Sequence, residues 1–451
     1  MNYMGRIFGT DGARGIAGSE LTVELALNIG RAAAMVLADE THHRPLVVIG
    51  CDTRISGSML ESSVAAGLCS VGADVILLGV VPTPAVAYLT EELKADAGVM
   101  ISASHNPYEF NGIKLFGPSG FKLSDEEEAK IEAIILDNAE PYNIRKGSEL
   151  GKITVNYEYA DRYVQHLVKK STGNYKGKIL VDCANGSASA TAEKLCNALQ
   201  LDADIINSSP NGININDNCG STHIDLLAEK VLAKGYDVGL AFDGDADRLL
   251  AVDEKGNILD GDFLLAILSE YFRSQNKLKN DSVVVTSMTN LGFLKLMKTR
   301  KINVETTAVG DRYVLEAMKE KGHSLGGEQS GHMIFLDHST TGDGQLSAIM
   351  LLNAISYFNR PLSELASAMT RFPQVMINVP ATPSMKAALP GNPVVNGDIK
   401  NHSEQLGDRG RIVVRASGTE PFIRVMIEGE QLLEIQKAAD SIAMAIREHL
   451  I

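Results

Sequence analysis

Asp243-Gly244-Asp245-Ala246-Asp247-Arg248 sets carboxylates at alternate positions against one arginine, at the end of the apolar run Val238 to Phe242. A strand that delivers acids in this way to one loop builds an all-oxygen cage. Such a cage suits a hard divalent cation, with Mg²⁺ the first choice. Without an ion, repulsion among the carboxylates is costly. The same D-x-D-x-D spacing opens a calcium-binding EF-hand loop, and Glu254 falls at its twelfth position. That reading fails at Arg248, which stands at the sixth place where the turn requires glycine. Leu249 to Val252 then reads as a buried strand rather than as ligands. The bland alternative is a solvated acidic turn.

Other segments carry compatible chemistry. Ser102-Ala103-Ser104-His105-Asn106-Pro107 follows an apolar run, and a serine in such a turn presents its hydroxyl as a nucleophile. It is not the glycine-spaced elbow of a hydrolase, because Asn106-Pro107 follows. Lys114 lies on an expected returning strand. Gly326-Gly327-Glu328-Gln329-Ser330-Gly331-His332 combines glycines, which let backbone approach a ligand, with side chains suited to sugar hydroxyls. Arg415-Ala416-Ser417-Gly418-Thr419-Glu420-Pro421, with Arg424, offers guanidinium forks for phosphate oxygens. Ser417, Thr419 and the N–H groups near Gly418 complete an anion nest. Arg14, Arg54 and Arg312 sit in further polar or glycine-bearing loops.

The elements that must hold these loops repeat one pattern of apolar strand, polar loop and helix. Strands are expected at Leu46 to Gly50, Asp74 to Val81, Val99 to Ser102, Lys178 to Asp182, Asp237 to Phe242 and Ser282 to Thr286. Ser58 to Val71 and Leu291 to Met297 have helical periodicity, and Ser124 with Glu127 forms a capping box. The alternation implies α/β layers with largely parallel pairing. The C-terminal part differs, with strands at Arg411 to Arg415 and Phe422 to Glu428. A helix over Gln431 to Leu450 is expected to bury Leu433, Ala438, Ile442 and Ala445. Ala381 to Asp398, rich in Pro, Gly and Asn, reads as loop. A small α+β domain joined near Phe372-Pro373 follows.

The chain has 451 residues, 45% of them hydrophobic and 22% charged, which implies several domains of ordinary soluble character. A net charge of −14 argues against nucleic acid as a main partner and makes a local basic site necessary for any anionic substrate. The cysteines, odd in number and scattered, form no metal pair or disulfide framework and favour a reducing cytosol. No signal peptide or bilayer-spanning stretch is expected.

Taken in order, FGTDGARG, DTRISGSML, SASHNPYEFNGIKLF, DGDADR, GGEQSGH and RASGTEPFIRVMIEG resemble the motifs of the α-D-phosphohexomutases, over nearly the whole chain from Phe8 to Glu428. The wording around Asn218-Cys219-Gly220-Ser221-Thr222-His223 is similar to the branch acting on glucosamine phosphates rather than on glucose or mannose phosphates. The resemblance implies three related α/β mixed-sheet domains plus a small α+β C-terminal domain around a central cleft. Boundaries are expected at 1–152, 153–252, 253–370 and 371–451. It implies that Ser104 carries a phosphoryl group and that Asp243, Asp245 and Asp247 hold Mg²⁺ with a phosphoserine oxygen. Glu328, Ser330 and His332 would meet the sugar, while Arg415, Ser417, Gly418, Thr419 and Arg424 would hold the distal phosphate. Arg14, Lys114 and His105 fall at the reacting end, and Arg248 or Arg14 neutralises the transferring group. Lys114 is the first choice of base, then His332. A sugar 1,6-bisphosphate is the implied intermediate and activator, and the pathway served is UDP-N-acetylglucosamine and the cell wall. A phosphosugar is the expected partner, with no nucleic acid or membrane; a homodimer is left open. Ala246 offers no ligand, so its side chain puts nothing in doubt. A sugar-phosphate binding protein without catalysis is disfavoured by intact Ser104 and aspartates; a Mg²⁺ phosphatase would release free phosphate.

Overall fold

Val47, Val48 and Ile49 are buried without alternation, the mark of a strand covered on both faces. Their strand, Leu46–Cys51, pairs in parallel with Asp74–Val80 and Ala97–Ile101. The computed structural model describes residues 5–9, 11–38, 43–173, 175–417 and 421–450. In spatial order its first sheet runs Phe8–Gly9, Gly12–Ile16, Phe110–Phe116, Ala97–Ile101, Leu46–Cys51, Asp74–Val80 and Ile153–Val155. A second runs Ile258–Leu259, Leu249–Asp253, Val238–Phe242, Lys178–Asp182 and Asp202–Ile206. A third runs Asn303–Thr307, Ser282–Thr286, Leu325–Gly327 and Met333–Phe335.

One device recurs in all three sheets. A strand paired in parallel with an inner neighbour ends in a short loop and is followed at once by an antiparallel return. Ala97–Ile101 returns as Phe110–Phe116, Val238–Phe242 as Leu249–Asp253, and Leu325–Gly327 as Met333–Phe335. The serine, acid and Glu-Ser-His loops are those turns. In the first return, Lys114 lies opposite Met100, which brings its side chain back toward the loop it has just left. The expected alternation of strands and helices therefore holds, but the sheets are mixed. Arg54 and Arg312 serve the scaffold. Arg54 donates to the carbonyls of Ser104 and Asn106 at 2.9 and 2.8 Å. Arg312 binds Glu128 at 2.9 Å and pairs with Asp125, in the first turn of the helix Asp125–Asp137 that Ser124 and Glu127 cap.

Apart from Asn303 and Val304, these sheets belong to one compact unit, Met1–Thr286 with Glu305–Ala366; the second is Ser287–Val304 with Ser367–Ile451. In the second unit the antiparallel strands lie in the order Gln374–Pro380, Phe422–Gly429, Gly410–Ala416. The helix Leu432–His449 covers this sheet through Ile435, Ala439, Ile442, Ala443 and Ile446. Leu433, expected on the buried face, is 78% exposed, because the buried stripe runs through Ile435 instead. Ala381 to Asp398 is not a loop. It folds as the helix Pro383–Ala388 and then as the start of Pro393–Leu406. The prolines fall within the first helical turn, where a missing N–H costs nothing. Thr382 caps the first helix, and Asn392 accepts from Val394 and Val395 at the second. Glu428, fully buried, ties this unit together: it pairs with Arg411 at 2.6 Å and accepts from Leu291 N at 3.0 Å and Asn290 Nδ2 at 3.2 Å.

Candidate active site

The strand Val238–Phe242 is wholly buried, so the acids that follow it start deep in the molecule. Asp243 and Asp245 have no exposed surface, and Asp247 is 3% exposed. One carboxylate oxygen from each lies within 4.8 Å of the others. Burial, then repulsion from Asp247 and Asp245, pushes the Asp243 carboxyl well above its ordinary value. Burial works the same way on Asp245, but Lys114, the Thr83 hydroxyl and Arg14 overcome it and hold that carboxyl below the usual range. Asp245 Oδ1 and Asp247 Oδ1 are buried with no hydrogen-bond partner among the described residues. Buried anionic oxygens left over in this way are the ligands a hard cation takes. The residues fit a divalent metal.

Ser104 stands beside this cage. Its hydroxyl donates to Asp243 Oδ2 at 2.6 Å, and the residue is fully buried. Its Oγ lies 3.5 Å from His105 Nδ1, a long contact. Burial, then Arg248 and Arg14, lowers the His105 imidazole to about 4, so near neutral pH it is an uncharged neighbour. Lys114 Nζ is 2.8 Å from Asp245, 3.2 Å from Asp11 and 3.6 Å from Asp247. Arg14 pairs with Asp11 and lies in the field of Asp245 and Asp247. Arg248 N donates to Asp243 Oδ1 at 3.2 Å, and its Nε lies 3.7 Å from Asp247.

The third loop joins the same cluster. His332 bridges to Arg248 through the backbone, and its Nε2 lies 3.7 Å from Asp311 and 4.0 Å from Asp247. Both ring nitrogens are buried without a hydrogen-bond partner among the described residues. Glu328 accepts from Gly310 N at 3.1 Å; burial raises its carboxyl against the pull of His332. Ser330 is exposed at the tip of the turn. Ser104, Lys114, Arg14, the aspartates, Arg248, Glu328 and His332, remote in sequence, thus come together.

Residues outside the expected set also stand here. Thr83 donates to Asp245 Oδ2 at 2.5 Å from its hydroxyl and to Asp245 O at 2.9 Å from its N–H. Lys122 bridges Asp11 at 2.5 Å and Asp311 at 2.6 Å. Asp11 and Asp311 belong to glycine-bearing loops whose arginines drew attention instead. Thr83 and Lys122 leave no local sign, since Pro82 and Pro84 read only as a strand stop.

In the second unit Arg415 and Arg424 are direct cross-strand partners. Like charges placed opposite one another are unfavourable unless something anionic lies between them. Ser417 N donates to Phe422 O at 2.9 Å, and Lys386 Nζ to Ser417 O at 2.7 Å. Gly418 and Thr419 lie outside the described residues.

Four family models match in sequence: phosphoglucomutase/phosphomannomutase alpha/beta/alpha domain I over residues 5–142, domain II over 161–256, domain III over 260–372, and the C-terminal domain over 376–445. The chain belongs to this family, the α-D-phosphohexomutases, which are intramolecular phosphotransferases. It is 51% identical to a phosphoglucosamine mutase of Acetivibrio thermocellus, over 99% of this chain and 100% of that protein. A phosphoglucosamine mutase of Shouchella clausii is 50% identical over the same shares. The chain therefore stands with the phosphoglucosamine mutases of the family. A Burkholderia thailandensis phosphoglucomutase/phosphomannomutase family protein shares the fold, with TM-score 0.81, 23% identity and 99% and 98% of the two chains covered. An Aspergillus fumigatus N-acetylphosphoglucosamine mutase, solved with GlcNAc-6P and magnesium, matches with TM-score 0.69 at 18% identity over 98% and 96%.

Proposed function

We propose that the chain interconverts glucosamine 6-phosphate and glucosamine 1-phosphate by way of a phosphoserine at Ser104 and a 1,6-bisphosphate. The observation that carries this is the buried Ser104 hydroxyl, 2.6 Å from the first aspartate of a cage with orphan oxygens. Asp243, Asp245 and Asp247 would hold Mg²⁺, which when bound offsets negative charge on the transferring group. In the first half-reaction a sugar hydroxyl oxygen forms a bond to phosphorus, and the bond from phosphorus to Ser104 Oγ breaks. The hydroxyl proton passes to a base. In the second half the other phosphoryl of the bisphosphate returns to Ser104 Oγ, and the proton is given back to the departing sugar oxygen.

The residues divide this work. Lys114 spends its ammonium donors on Asp245, Asp11 and Asp247, which suits a counter-cation to a loop that must also accept phosphate oxygens. His332, with neither ring nitrogen hydrogen-bonded among the described residues, is the proton acceptor we favour over Lys114. Arg14 and Arg248 add positive charge where the equatorial phosphoryl oxygens spread theirs. Glu328 and Ser330 suit a sugar bound in either orientation, and Arg415, Ser417, Gly418, Thr419 and Arg424 suit the phosphate that does not react. The four domain spans expected from sequence would each contribute one of these loops. Cysteines free of disulfides agree with a cytoplasmic setting.

The test is turnover of purified enzyme with Mg²⁺ and a trace of sugar bisphosphate on glucosamine, glucose and mannose phosphates. The amino sugar should turn over fastest; a clearly higher rate on glucose or mannose 1-phosphate would reassign the substrate, and free phosphate as the main product would make it a phosphatase. Ser104→Ala should lose turnover by about 10³-fold or more while keeping the native circular dichroism spectrum; activity near that of the native chain would remove Ser104 from this role.

A further inference from the structure

Ser104 has φ +54°, in the left-handed region that side chains other than glycine rarely occupy. That conformation is strained for an L-residue and persists only where its surroundings over-determine it. Here the surroundings are unusually specific. Ser104 N donates to Ser102 Oγ at 2.9 Å, and Ser102 Oγ donates to the buried Asp52 at 2.6 Å. The carbonyl of Ser104 receives two donors from different loops: Arg54 Nη2 at 2.9 Å and Asn216 Nδ2 at 3.0 Å. Both also reach the Asn106 carbonyl, at 2.8 and 3.2 Å.

Asn216 is the informative member. It comes from the loop after Asp202–Ile206, in the second sheet's part of the chain, and it is 6% exposed. It has φ +58°, and its own N–H is fixed on Ala184 O at 2.9 Å. Its amide sits where a side chain at Gly244 would have to go: a Cβ there would run into Ser104 O and Asn216 Nδ2. The metal loop, the serine loop and Asn216 therefore meet at one carbonyl oxygen. None of these contacts is needed to close a core; all bear on where Ser104 Oγ points.

We propose that Asn216, acting with Arg54 through the Ser104 carbonyl, is a positioning residue that aims the Ser104 hydroxyl at the metal loop. This rests on Ser104 as the phosphoryl carrier. Transfer requires the nucleophile and phosphorus in line, and displacement by about 1 Å costs on the order of 10²-fold in rate. Substrate recognition depends on other loops, so loss of the Asn216 amide should appear in kcat and not in KM.

The left-handed backbone at Asn216 supplies the test. Asn216→Gly removes the amide without backbone strain, whereas Asn216→Ala adds strain as well. With glucosamine 6-phosphate, Mg²⁺ and trace bisphosphate, Asn216→Gly should lower kcat about 10²-fold with KM within twofold and the thermal midpoint within a few degrees. Asn216→Asp should be slower still, because it sets a carboxylate oxygen against the Ser104 carbonyl, and it serves in its own right if the glycine variant does not fold. A merely structural role predicts Asn216→Gly near native with only Asn216→Ala impaired; a glycine variant within threefold of native kcat overturns the proposal. Ser104→Ala run alongside separates the two readings. If it turns over, the carrier assignment has failed; if it is inactive while Asn216→Gly is native, only the positioning role has failed.

Discussion

Glu61 shows how burial alone writes pH dependence into one residue. Desolvation pushes its carboxyl up to about 7, and its Oε1 has no hydrogen-bond partner among the described residues. The folded state therefore holds a proton that the unfolded chain releases near the ordinary glutamate value. Between those two values the native protein binds more protons than the unfolded chain, so its stability falls as pH rises through that window. Glu61→Gln removes the titration. Its thermal midpoint should match the native protein near pH 5 and exceed it by about 2 °C at pH 8, read by differential scanning calorimetry across pH. A constant offset across pH would place the effect elsewhere than in the carboxyl. The residue scale is also where sequence reading reached its limit. The aspartates announce themselves by type and spacing, whereas Ser104, Lys114 and His332 gain their roles from the family resemblance. Thr83 and Asn216 do not, because each acts on a loop far along the chain, through a single hydrogen-bonding group that any surface turn also carries.

At the scale of elements, local chemistry was legible where a hydrophobic period ran unbroken. Lys178–Asp182 and Ser282–Thr286 fall where their β-branched runs put them. The region from Ala381 was opaque because its Pro, Gly and Asn residues, each a turn former by composition, act here as helix starters. Asn392 and Thr382 cap, Pro393 and Pro383 open, and Gly397 is carried in a helical interior. Which part of the chain a buried acid holds together is equally invisible in sequence. Glu428 is such an acid, joining the strand Phe422–Gly429 to Arg411 and to the start of the helix Leu291–Arg300. Glu428→Ala leaves Arg411 without its buried partner and Leu291 N without an acceptor. It should cost about 3 kcal/mol in urea unfolding of the second unit. A change below about 0.5 kcal/mol would mean that the pair sits in water and contributes as surface pairs do.

For the whole molecule, the division of chemistry between the two compact units has a thermodynamic signature. The aspartate cage lies wholly in the first unit, and Arg415 and Arg424 lie wholly in the second. Ligands that bind only folded protein stabilise by mass action, about 2.7 kcal/mol at a hundredfold excess over Kd. Mg²⁺ should therefore raise the calorimetric transition of the first unit and chelation should lower it, a response that Asp245→Ala should lose. Inorganic phosphate should raise the transition that Arg415→Ala abolishes as a phosphate response. If both ligands shift one indivisible transition equally, and either variant removes both responses, the two units do not bind independently.

The second unit is assembled from two stretches, Ser287–Val304 and everything from Ser367 onward. A stop codon placed ahead of Ser367 would not shed a detachable module. It would strand the helix Leu291–Arg300, whose Gly292 packs against Thr370 and whose Lys295 rests on the Phe372 ring. Anyone cutting this gene to make a smaller enzyme should expect insoluble product from that edit.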